Sequence, residues 1–165
     1  MVTTSRSRWV LLAYHLPREP STPRIALWRK LRRLGVVQLQ DGLVALPLDA
    51  RTREQLEWLA EEVTEAGGQA GIWLAEPATA AQERDLAQRM AAAVAADYQT
   101  VAKEAQAARS QPPGPRRRTV GRLRRELRRI SLRDHFPPPE RDQARAAVTA
   151  LAATLTSEAQ AVVGR

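Results

Sequence analysis

Arginine carries most of the chemistry in this sequence. Nine arginines against a single acid, Glu126, lie between Gln111 and Arg133. A guanidinium presents a rigid fork of donors that matches phosphate and other oxyanions in a bidentate way. Within the stretch, Val120, Leu123, Leu127 and Ile130 recur at steps of three and four, one face of a helix. Arg116, Arg117, Arg118, Arg122, Arg124, Arg125, Arg128 and Arg129 are then expected on the remaining surface. Such a row can track a nucleic-acid backbone, with an affinity that falls steeply with salt. Ion pairs within the chain or with a second subunit, a small oxyanion and an anionic membrane compete for the same arginines. The helix has no aromatic residue on its apolar face, which weighs against the membrane.

A second basic group, Arg24, Arg29, Arg32 and Arg33, offers secondary anion contacts. Its competing explanation is local. Glu54, Glu57, Glu61, Glu62 and Glu65 lie on the next helical segment, and exposed pairs with them would contribute only ~0–1 kcal/mol each.

Other chemistries lack their residues. With no cysteine there is no disulfide framework, thiolate metal site or thiol redox chemistry. His15 and His135 are the only imidazoles. There is no glycine-rich phosphate loop, nucleophile elbow or helical His pair. The expectation is therefore a non-enzyme with no catalytic residue, no metal and no cofactor. His15, following Tyr14 at a strand end, is read as satisfied by a backbone carbonyl. Trp28 is read as core, and Trp58 and Trp73 as core or dimer-interface residues; base stacking is the minor alternative.

The elements that must position these residues follow from the pattern. Trp9–Leu16 is a nearly continuous apolar strand ended by Pro17. Ser21-Thr22-Pro23 starts a helix that Gly35 stops. Val36–Gln40 and Leu43–Leu46 flank the hairpin turn Asp41-Gly42. A helix from Thr52, with Gln55 as its capping-box partner, ends at Gly67-Gly68, and Ala70–Ala75 is the last strand. The order predicts a ferredoxin-like split β-α-β domain over 8–77: four antiparallel strands with two helices on one face. An α-helical extension follows at 78–165. It holds a long helix at 79–109 that opens on Thr79-x-x-Gln82, a Pro-rich break at 111–115 and the Arg-rich helix at 117–133. A last helix at 140–162 turns Ala144, Val148, Leu151, Leu155 and Val162 inward.

The 165 residues carry a net charge of +8, and 44% are apolar. That is enough for a core and excludes wholesale disorder. The longest apolar run is far short of a membrane span, so a cytoplasmic protein without a membrane partner is expected. Residues 111–133 alone carry a net charge equal to that of the whole chain; the other segments sum to zero.

Trp9-x-Leu-Leu-x-Tyr14-x-Leu16-Pro17, then Pro23-Arg24-x3-Trp28-Arg29-x-Leu31-Arg32-x-Leu34-Gly35, Leu39-x-x-Gly42 and Pro47 together resemble the N-terminal domain of the ChrB family, the chromate-resistance regulators. Asp134-His135-Phe136-x3-Glu140 resembles the end of that domain. The resemblance implies a DNA-associated regulator connected with chromate, without the family's second domain. The opening also resembles, more distantly, the middle domain of phenylacetate-degradation repressors and the small endoribonuclease-like subunit of CRISPR adaptation. Both resemblances imply a homodimer. In the latter an Asp binds the catalytic metal where this chain has His15, a poor ligand for magnesium. The expected partners are DNA and a second copy of the chain, with an oxyanion ligand or scaffold role as one alternative and a metal-dependent nuclease as another.

Overall fold

The computed structural model describes residues 7–163. Its elements run β1 (Trp9–His15), α1 (Thr22–Leu34), β2 (Val37–Gln40), β3 (Leu43–Pro47), α2 (Ala50–Glu65), β4 (Gln69–Ala75), α3 (Ala80–Ala107), a 3-10 turn (Ala108–Ser110), α4 (Pro113–Leu132) and α5 (Glu140–Val163). The strands form one antiparallel sheet in the order β2-β3-β1-β4. This is the expected α+β architecture with a helical C-terminal region.

Side chains alternate across the sheet. Val10 and Leu12 of β1 face Leu46 and Val44 of β3, and all four are buried. Leu27 and Leu31 of α1 and Leu56, Leu59 and Val63 of α2 are buried as well. Lys30 ties α1 to Glu62 of α2 at 2.6 Å. On the other side of β1, Trp9 and Leu11 line a cavity with Leu86 of α3. Arg89 of α3 also donates to the Gln38 carbonyl at 2.5 Å.

Two compact units result, one ending at Met90 and one beginning at Ala91. The division falls inside α3, with Leu86 and Arg89 on the side of the sheet. In the second unit Val94, Tyr98, Val101 and Ala105 of α3 form one core with Val120, Leu123 and Ile130 of α4 and Ala144, Val148 and Leu151 of α5. The side chain of Val162 lies outside the described residues.

Element starts depart from expectation for identifiable reasons. The N-cap of α2 is Asp49, whose side chain accepts from the Thr52 N–H at 2.7 Å while Thr52 Oγ1 accepts from the Asp49 N–H at 3.0 Å. Thr52 is thus the third helical residue and not the cap, and Gln55 has no part in the box. The Pro-rich segment interrupts less chain than 111–115. Pro113 opens α4, and Pro115 sits in its first turn, where a missing N–H costs nothing. The Thr79/Gln82 box forms in both directions, and Gly35 ends α1 at φ 76°.

Candidate nucleic-acid interface and anion cleft

α4 sorts its arginines by angle around the helix. Arg116 stands four residues before Val120 and so continues the stripe Val120, Leu123, Leu127, Ile130. It is only 7% exposed. Its Nη1 donates to Glu158 Oε1 at 2.7 Å and to Thr154 Oγ1 at 3.0 Å; Nη2 and Nε donate to the Gln111 carbonyl at 2.7 and 3.1 Å. The expectation that Arg116 faces outward is corrected: its donors are spent inside the second unit. The spacing held this signal, since Arg116 falls on the apolar stripe.

Three other arginines of the cluster are paired. Arg122 meets Glu104 of α3 at 2.6 Å, Arg129 meets Glu126 one turn earlier at 3.4 Å, and Arg133 meets Asp97 at 2.7 Å. Arg122 and Arg129 keep most of their surface in solvent. Arg117, Arg118, Arg124, Arg125 and Arg128 are exposed and have no acidic partner among the described residues. Arg117, Arg124 and Arg128 stand seven and four residues apart and form one row, with Arg118 and Arg125 on its flank.

α3 is joined to the link between α4 and α5. Tyr98 is fully buried, and its hydroxyl donates to Asp134 Oδ2 at 2.9 Å. Burial pushes the phenol pKa up to about 12, and the Asp134 hydrogen bond and negative charge add to the shift. Asp134 Oδ1 is buried without a hydrogen-bond partner.

The first basic group occupies different ground. None of Arg24, Arg29, Arg32 and Arg33 has an acidic partner among the described residues; the pair from α1 to α2 is made by Lys30. Arg24, Arg29 and Arg32 line a cleft of about 840 Å³ with Arg18, Tyr14, His15, Ile25, Trp28, Gln38, Asp41 and Gly42. Arg33 is exposed but is not part of that wall. Trp28 is corrected from core to cleft wall, 39% exposed, and Ile25 is half exposed. The reason is again angular. Leu27 and Leu31 are buried, whereas Arg24, Trp28 and Arg32 repeat every fourth residue on an adjacent strip.

The cleft floor is fixed by a turn. Gly42 has φ +74°, and its carbonyl accepts from the Tyr14 N–H at 2.7 Å. A Cβ at Gly42 would collide with the Tyr14 carbonyl. The Asp41-Gly42 turn is thereby held beside the end of β1. The Tyr14 phenol pKa is raised by burial and then by the charge of Asp41, while Arg24 pulls it down. Only the fold brings Arg18, in the loop after β1, and Asp41, in the hairpin, to α1.

Among the described residues no group of three or more His, Cys, Asp or Glu is placed to hold a metal ion. No helix among them is long and apolar enough to cross a membrane. On the opposite edge of the sheet, β4 exposes Trp73 (63%) and Leu74, and Trp58 stands out from α2.

The family model described as "Protein ChrB, N-terminal" matches residues 24–111, more than half of the chain. The arginines of α1 lie inside that match, and α4 follows it. The chain is 32% identical to "Protein ChrB" of Cupriavidus metallidurans over 72 residues, 44% of this chain and 22% of that relative. It therefore aligns with about a fifth of the relative's length. No solved structure matches it.

Proposed function

This chain belongs to the ChrB N-terminal family, and from that premise we propose that it is a non-catalytic, DNA-binding regulator of chromate resistance that holds DNA phosphates on α4. One observation carries the reading: Arg117, Arg118, Arg124, Arg125 and Arg128 crowd one exposed helix surface with no acidic partner among the described residues. Five like charges on one helix repel each other, and a polyanion relieves that repulsion. Phosphate contacts of this type position a protein on DNA without specifying sequence. The reading includes a homodimer. It is supported by the edge at β4, where exposed Trp73 and Leu74 flank backbone groups that have no partner strand among the described residues.

The test is retardation of the DNA fragment upstream of the chain's own reading frame, with and without chromate. Replacing Arg124, Arg125, Arg128 and Arg129 together with Glu abolishes binding if α4 is the interface. A variant that binds as well as the parent removes α4 from the assignment.

A further inference from the structure

We propose that the cleft between α1 and the β2–β3 hairpin is a nucleotide-binding site, in which α1 holds the phosphates and Trp28 stacks against the base. This site is independent of α4 and lies wholly within the first unit. Four arginines, Arg18, Arg24, Arg29 and Arg32, converge on one concavity against a single carboxylate, Asp41. Such a concentration of guanidinium groups calls for an anion of more than one charge.

Two further features add to that field. Ser21, the N-cap of α1, lines the cleft and makes no side-chain capping bond, and the first turn of α1 carries no acid. The positive end of the helix dipole is thus left uncompensated beside the arginines, and a phosphate there would complete it.

The rest of the wall selects the ligand class. A bare tetrahedral oxyanion has no use for Trp28 and Ile25, both left exposed at a cost in apolar surface. It also fills only a small part of about 840 Å³, a volume within the range of small-molecule sites. A flat heteroaromatic base suits the Trp28 face. Arg24 and Arg32, one turn before and one turn after Trp28 on the same strip, then reach phosphate on either side of it. Asp41 and Gln38 supply an acceptor and an amide for sugar hydroxyls or a base edge. A nucleoside di- or triphosphate uses all of these groups together.

The experiment is calorimetric titration of the full chain with ATP, GTP, AMP, inorganic phosphate, sulfate and chromate. One molecule of nucleoside triphosphate is expected per chain, at least tenfold tighter than any simple oxyanion. Trp28→Ala and the pair Arg24→Ala/Arg32→Ala each weaken it at least tenfold, Trp28→Phe restores most of the loss, and Arg124→Glu leaves it unchanged. All four substituted side chains have exposed surface, and circular dichroism shows whether each variant is folded. Competition by a 5′-phosphorylated single-stranded oligonucleotide distinguishes a strand end from a free nucleotide. Absence of nucleotide binding, equal binding of phosphate, sulfate or chromate, or indifference to Trp28→Ala overturns the proposal. Failure here leaves DNA retardation through α4 untouched, and the reverse holds.

Discussion

Arg116 Nη1 and Glu158 Oε1 meet at 2.7 Å between α4 and α5, the arginine side chain 9% exposed and the glutamate 46%. The pair divides the arginine cluster into two kinds. Arg116 locks three elements, because the same guanidinium also caps the Gln111 carbonyl. Arg117, Arg118, Arg124, Arg125 and Arg128 lock nothing.

Arg116→Ala is expected to destabilise the second unit by about 1–3 kcal/mol, the cost of losing the hydrogen bonds that a buried guanidinium makes to Gln111, Thr154 and Glu158. Arg124→Ala should change stability by no more than ~0.5 kcal/mol, as an exposed and unpaired surface side chain. Chemical denaturation followed by helical circular dichroism checks both. Equal midpoints for Arg116→Ala and the parent would show that the Arg116 contacts are energetically silent.

Salt dependence of DNA binding reports the exposed row. Each phosphate contact removed should reduce the slope of log K against log salt by about 0.9. Arg117→Ala, Arg124→Ala and Arg128→Ala combined should therefore lower it by roughly 3. An unchanged slope means these side chains do not touch phosphate.

Tyr98 makes the second unit sensitive to alkali. Its folded pKa of about 12 stands above the ordinary value of 10.0, so the folded state holds the phenol proton more tightly than the unfolded state. The stabilisation is complete below pH 10 and is lost as pH rises through the folded value. It amounts to at most ~2–3 kcal/mol. Tyr98→Phe loses the Asp134 hydrogen bond at neutral pH and flattens the decline above pH 10. A parent and variant with parallel pH profiles would refute the linkage.

Asp49 gives the opposite pH sign in the first unit. The Thr52 backbone N–H bonds to its carboxylate and holds its pKa below the usual carboxylate value. That stabilisation is present above the unfolded pKa and is lost as pH falls through the folded one. Asp49→Ala should cost about 1 kcal/mol at neutral pH, within the range for helix N-caps. Asp49→Asn should retain most of the cap while removing its acid dependence. Thermal melts between pH 2 and 7 measure both.

Trp73→Glu puts a charge on the exposed β4 edge. In light scattering after size exclusion, the parent should have the mass of two chains and the variant that of one. Equal masses would exclude β4 as the self-association surface.

The α+β order was legible because the signals are local. A nearly continuous apolar run specifies β1, Asp41-Gly42 specifies the hairpin, and Gly35 ends α1 through its left-handed conformation. The exposed arginines of α4 were legible for the same reason, since an apolar stripe dictates which angles remain outside. Arg116 was misread by residue type although its spacing placed it on the stripe. Its partners Thr154 and Glu158 are 38 and 42 residues distant.

By itself, then, the sequence determined the element order, the location of the charge excess and the absence of thiol chemistry. The tertiary structure alone decided which guanidinium groups are neutralised and which converge. Ion pairing and cleft formation depend on distances across elements. No periodicity encodes that the loop after β1, the first turns of α1 and the hairpin turn enclose one basic space around Trp28.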